Sequence, residues 1–217
     1  MITTSVSLGD TPALLGAVRT RLRNRPGWDA ALDRVIDPAS PERAHLAVMH
    51  EPYLSYVLAG RKSVESRFSR HRVAPFDQVG LGDLLLLKSQ SGPVTGVARV
   101  AHVDSYRLDP VIWASIRNRF SAALCVTDER FWVERREARY ATLMRLAAAL
   151  AVEPLVLEKR DRRPWVVLVP RATTEVHRDQ LALVPEAPAE KRSSRTRLVT
   201  MYEAKEPDRA GQLRLLE

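Results

Sequence analysis

The feature that most restricts the fold is a pair of apolar runs bounded by turn residues, GLGDLLLLKSQSGPVTGVARVAHVDSYR at 80–107. GLGD at 80–83 is a turn into the apolar strand LLLLKS at 84–89, and SGP at 91–93 sends the chain back along 94–107. The two runs form a hairpin, in which Gly96 marks a bend or bulge.

The segments around this hairpin are read from the same signals. HLAVMH at 45–50 is a strand; Glu51-Pro52 opens a helix that runs to about Leu58 and stops at Gly60. The chain then changes to period two in AGRKSVESRFSRHR at 59–72, with Val64, Ser66 and Phe68 on one side and Ser63, Glu65 and Arg67 on the other. Upstream, 10–24 is a helix capped by Asp10 or Thr11, with Pro12 in its first turn and Leu14, Leu15, Val18 and Leu22 on one face. A second short helix covers 27–36, before the breaker DPASPE at 37–42. Residues 1–43 are too few to hold a core alone and are expected to pack on the segments downstream of them.

Downstream, helices are expected at 109–119 and at 127–137, the latter capped by Thr127 and carrying Glu129 and Glu134. Residues 140–150 fit either element: Tyr140, Leu143 and Leu146 allow a helix, whereas the Tyr and Thr at the start favour a strand, taken here as 140–148. WVVLV at 165–169 is a last short strand. The order of elements is a mixed α+β one, which fits a small barrel or curled sheet with helices on its rim. From Pro170 the composition shifts: 185–195 reads as linker, and RLVTMYEA at 197–204 is a candidate docked strand in a partly irregular tail spanning 171–217.

Composition narrows the function classes. With 217 residues, 45% hydrophobic and 28% charged, the chain is globular, one domain with extensions or two small ones. The most apolar stretch, LMRLAAALAV at 143–152, is short and interrupted by Arg145, so no membrane association is expected. The N-terminus lacks a basic region followed by an apolar block, and a single cysteine, Cys125, excludes an internal disulfide or a cysteine metal cluster. A reducing cytoplasm is the expected compartment. No nucleotide-binding glycine loop, nucleophile elbow or HExxH pair occurs, and His45, His50, His71, His102 and His177 have no metal-ligand spacing. Neither a cofactor nor a metal is expected, and no feature sets an oligomeric state. A net charge of +8 and an isoelectric point of about 10.1 favour a polyanion partner such as nucleic acid. The scarcity of lysine (Lys62, Lys88, Lys159, Lys191 and Lys205) among arginines also fits a GC-rich, bacterial-type genome, and charge alone does not separate the two explanations.

The stretch 59–72 carries the chemistry. On a strand, Ser63, Glu65 and Arg67 would stand in a row about 7 Å apart. Arginine offers a planar donor fork for phosphate or carboxylate, and an ionised glutamate beside it accepts hydrogen bonds from a base or a sugar. The same pattern suits a solvent-facing salt-bridge strand, and the pattern leaves both readings open. Arg70, His71 and Arg72 follow the strand, Lys88 ends the next one, and KRDRRPW at 159–165 places Arg160 and Arg162 beside Trp165. Basic residues next to an aromatic suit a single-stranded nucleic acid; an ordinary charged turn beside a core tryptophan fits equally well.

HLAVMHEPYLSYVLAGRKSVESRF resembles the opening of an ASCH domain, a branch of the PUA-like superfamily, in which a strand and a short helix precede a Gly-x-Lys-x-x-Glu-x-Arg motif. The motif residues here are Gly60, Lys62, Glu65 and Arg67, with Ser63 where threonine is common, and the 80–103 hairpin resembles the family's strand pair. The resemblance covers roughly 45–169 and implies a domain at 44–170. The implied fold is PUA-like: a small mixed β-barrel with rim helices, here with an N-terminal helical extension.

The resemblance also implies a polar cleft at the motif strand that takes RNA or a modified nucleoside, which Lys62, Ser63, Glu65 and Arg67 would line; the basic residues Arg70, Lys88, Arg160 and Arg162, read from the sequence itself, are candidates to extend it. Some members of the family are similar to RNA-binding modules, some are ribonucleases, and a small subgroup hydrolyses N4-acylated cytidines with a lysine, a threonine and a downstream glutamate. Lys62 matches that lysine, whereas Glu65 stands in the threonine's place; Glu129 or Glu134 would be the second carboxylate. A metal-independent ribonuclease or nucleoside amidohydrolase using Lys62 and Glu65 is the alternative to a binding protein. A protein-interaction module is a third.

Overall fold

The computed structural model describes residues 5–159 and 162–170. In chain order the elements are β1 (Val6–Ser7), α1 (Thr11–Leu22), α2 (Trp28–Ile36), β2 (Ala44–Met49), α3 (Tyr53–Leu58) and β3 (Val64–Ser69). They continue with β4 (Leu84–Ser89), β5 (Val94–Arg107), α4 (Pro110–Phe120), α5 (Arg130–Val133), β6 (Tyr140–Leu155), β7 (Leu157–Glu158) and β8 (Trp165–Val167). Six strands form one curled sheet in the order β3-β6-β5-β4-β2-β8, while β1 and β7 pair separately. The fold is mixed α+β with rim helices, as expected. The Arg197–Ala204 strand and the 185–195 linker lie outside the described residues.

The centre of the sheet explains the leucine run. Strands β2 and β4 pair in parallel, and such pairs are covered on both faces. Alternation along β4 sends Leu84 and Leu86 into one core cluster and Leu85 and Leu87 into another. On β2, Ala44 and Leu46 join the first, and Ala47 and Met49 the second. The first cluster is closed by α1 and α2 through Leu14, Leu15, Val18, Leu22, Leu32 and Val35. The N-terminal helices therefore supply one wall of the main core. Asp10 caps α1 by accepting a hydrogen bond from the Ala13 amide at 3.0 Å, and Pro12 sits in the first turn, where no amide is missed. The second cluster is closed by α3 and Trp165. A third joins α4 and α5 to the outer strands through Val64, Ile116, Leu124, Trp132, Ala141 and Leu143.

Two expectations need revision. The strand beginning at Tyr140 continues to Leu155, because β5 offers it a partner along nearly its whole length. Its alanines stay extended for the same reason, and register shifts, with Ala148 at a φ of 50°, bend the pair. The helix expected over 127–137 shortens to the single turn Arg130–Val133. Asp128, not Thr127, receives the Arg130 amide, at 2.8 Å. Trp132 is the buried residue that anchors this turn. Among the described residues, no helix is long and apolar enough to cross a membrane.

Gly96 marks the place where α3 crosses β5. A Cβ there would lie 2.5 Å from Leu58 Cδ2 and 3.2 Å from the Leu150 carbonyl oxygen. Gly96→Ala is expected to destabilise the fold by roughly 1–3 kcal/mol, as overpacking does, measured by urea denaturation.

Candidate functional site

Strand β3 carries the motif into the sheet's edge, paired antiparallel to β6. Gly60, at a φ of 70°, ends α3 in the left-handed region that glycine tolerates. Ser63 and Val64 then donate their amides to the Ala123 carbonyl oxygen, and Lys62 donates its amide to that of Tyr56. These bonds turn Lys62 inward, where it is 5% exposed, while Glu65 is 6% exposed.

The three charged motif residues form one buried group. Lys62 Nζ donates to Glu65 Oε2 at 2.6 Å and also to the Val64 carbonyl oxygen. Arg67 Nε lies 3.0 Å from Glu65 Oε1, an ion pair without hydrogen-bond alignment. The same guanidinium donates to the Val48 carbonyl oxygen at 2.9 Å and to that of Pro164 at 3.4 Å, and its carbon sits 5.2 Å from the Trp165 ring centre. Burial alone would raise the Glu65 carboxyl; the Lys62 ammonium and the Arg67 guanidinium outweigh it and hold the carboxyl below its ordinary range.

This group forms the floor of a cleft of about 600 Å³. The opposite wall comes from the Asp128–Arg135 segment, and the rim from the end of β2, Tyr53 and Pro164. Arg135 stacks on Phe131, with its guanidinium carbon 3.8 Å from the ring centre, and donates to the Phe131 carbonyl oxygen at 2.8 Å. Phe131 also meets Tyr53 and Phe68, each with ring centres 6.2 Å apart. Burial raises the Tyr53 hydroxyl above its ordinary value against the opposing effect of Arg135, so it remains a hydrogen-bond donor at neutral pH. The cleft lining includes four cationic side chains, Lys62, Arg67, Arg130 and Arg135, against the carboxylates Glu65, Asp128 and Glu134.

The structure brings Lys62, Glu65 and Arg67 together and separates the other residues expected with them. Ser63 is exposed and outside the cleft, because β3 begins one residue later; Ser66 lines the cleft instead. Arg70 is exposed and paired with Glu137. Lys88 is buried against the Ser89 and Gly92 carbonyl oxygens, at 3.0 and 2.6 Å, away from the cleft lining. Burial and the nearby Lys159 ammonium lower its pKa. Arg162 is exposed, two residues before the rim residue Pro164, and does not line the cleft; Arg160 lies outside the described residues. Glu134 lines the cleft, whereas Glu129 pairs with Arg117 at 2.7 Å. Tyr53, Phe131 and Arg135 escaped the sequence reading; the signal for the latter two was an aromatic pair set among charges in DERFWVERRE. Among the described residues, no cluster of His, Cys, Asp or Glu is arranged to hold a metal ion.

A curled mixed sheet with rim helices and a polar cleft at its motif strand defines a PUA-like α+β domain. The ASCH domain model matches residues 48–170, more than half of the chain, and the protein belongs to the ASCH domain family. The chain is similar to the crystal structure of ASCH from Zymomonas mobilis, at 14% identity and a TM-score of 0.43, over 52% of this chain and 73% of that one. A single-substitution variant of that protein aligns at 14% identity and a TM-score of 0.45, over 57% and 87% of the two chains. Among curated proteins, none matches the chain.

Two outcomes are expected at the floor. Lys62→Ala leaves Glu65 buried with a single partner and should cost roughly 3–5 kcal/mol, measured by chemical denaturation. Glu65 has its folded pKa below the ordinary 4.5. Its contribution to stability is therefore full above about pH 4.5 and is lost as pH falls through the lower folded value. The stability difference between the native protein and Glu65→Gln should shrink over that acid window and stay constant above it.

Proposed function

We propose that the protein binds single-stranded RNA, or a modified nucleoside within such a strand, in the cleft between β3 and α5. The observation that carries this reading is a pair of contrasting walls: the fixed Lys62–Glu65–Arg67 floor opposite the aromatic and arginine wall of Tyr53, Phe68, Phe131 and Arg135. A nucleobase has a flat face to stack and an edge to hydrogen-bond, and the two walls answer one each. The volume, about 600 Å³, lies in the range of small-molecule sites. ASCH domains are generally proposed to bind RNA, which supports the same reading.

The near balance of charge in the lining argues for a base rather than a run of phosphates inside the cleft. Phosphate contacts fall to basic residues on the surrounding surface of a chain with a net charge of +8. A binding role is preferred to Lys62–Glu65 acid–base catalysis because an acid–base pair needs a pKa near the working pH. Glu65 is driven the other way, which makes it a hydrogen-bond acceptor and a poor proton carrier at neutral pH.

Fluorescence anisotropy with a labelled single-stranded RNA tests the reading. Saturable binding is expected at low salt, weakening as salt rises. Phe131→Ala should weaken it by roughly 5- to 150-fold, the loss of one stacked base. Absence of binding at low salt would overturn the proposal.

A further inference from the structure

A smaller chamber opens behind the cleft and shares Arg67, Phe68 and Pro164 with it. The register explains its position. Arg67 pairs with Thr142 across β3 and β6, and Ser69 pairs with Tyr140, so Thr142 and Tyr140 stand on the face that carries Glu65 and Arg67. Phe76 and Trp165 complete the walls, and Phe76 packs edge-on against Tyr140 with ring centres 4.9 Å apart. The chamber measures about 90 Å³. That is room for about six water-sized groups, enough for a single six-membered ring and too little for a fused pair.

The chamber is not purely apolar. Thr142, 1% exposed, brings a hydroxyl-bearing side chain into its lining. At its mouth stands the Arg67 guanidinium, held by the Glu65 carboxylate and the Val48 and Pro164 carbonyl oxygens.

We infer that the chamber is a second base subsite that accepts a pyrimidine of the bound strand and excludes a purine, with the Thr142 hydroxyl hydrogen-bonding the base edge. This rests on the RNA-binding reading and adds a specificity to it. A strand laying one base in the main cleft reaches the chamber with its neighbour, because the two share a rim. Aromatic walls hold the ring by its faces, and a hydroxyl that both donates and accepts suits the edge of uracil or of cytosine.

The full chain is titrated by fluorescence anisotropy with short oligouridylate, oligocytidylate and oligoadenylate at one salt concentration. The pyrimidine strands are expected to bind about tenfold more tightly than oligoadenylate, the ratio that about 1.4 kcal/mol provides. Thr142→Val keeps the shape and removes the hydroxyl; it should weaken pyrimidine binding by about 3- to 10-fold and leave oligoadenylate unchanged. Phe76→Leu enlarges the chamber and should narrow the preference, with a thermal melt confirming that each variant is folded. Equal binding of all three strands, or a Thr142→Val effect of the same size on each, overturns the subsite and leaves RNA binding standing. Binding of none of them overturns RNA binding and the subsite together.

Discussion

Asp83, fully buried, is the residue on which the arrangement of the sheet depends. Its Oδ1 accepts the Arg43 amide at 2.7 Å, and its Oδ2 accepts the Gly80 amide at 2.7 Å and His45 Nε2 at 2.8 Å. The Trp165 indole donates to His45 Nδ1 at 3.3 Å. Since an indole nitrogen only donates, His45 Nδ1 is the bare nitrogen and Nε2 carries the proton given to Asp83. The turn before β4, the start of β2 and the start of β8 are thus joined by one satisfied polar chain inside the core. A carboxylate buried without those three donors would cost several kcal/mol.

The chain of contacts does not stop at Trp165. The Arg67 guanidinium lies against that ring and bonds the backbone of Val48 and Pro164, and through Glu65 it reaches Lys62. The floor of the cleft is therefore fixed from below by the same strands that Asp83 organises. Three charges are removed from water to build it, a cost that close pairing offsets without a large surplus. What the pairing supplies is position: a mutually paired floor of two cations and one carboxylate that presents acceptors and donors to a ligand. The strongly charged part of recognition is left to the surface. The aromatic wall on α5 and the chamber behind Arg67 both take their places from this floor, one facing it and the other sharing its arginine.

Much of the fold was legible because the local signals agreed with the tertiary outcome. Asp10 and Pro12 began α1, Gly60 ended α3, and turn residues bracketed the Leu84–Ser89 strand. The failures have physical causes. Leu143–Val152 is rich in alanine and carries a helical spacing, yet β5 and β3 on its flanks keep it extended. The 127–137 segment had caps and charges enough for a longer helix, but only Trp132 has a deep site to fill. Lys88 looked like a cleft cation from its place at a strand end, and the turn carbonyls of Ser89 and Gly92 bind it instead.

The sequence by itself determined the order of the main strands and helices and the shared face of Glu65 and Arg67, because residues two apart on a strand point the same way; Lys62, which precedes β3 and stands three residues from Glu65, was joined to them by the family motif alone. It also carried the family resemblance. Only the tertiary structure decided that these charges are buried and mutually paired rather than spread along a solvent-facing edge. It alone set Phe131 and Arg135 opposite them, from a segment more than sixty residues away by number, and placed Thr142 beside Arg67. Such contacts depend on sheet register and on which core each face must cover, and neither is set by local spacing.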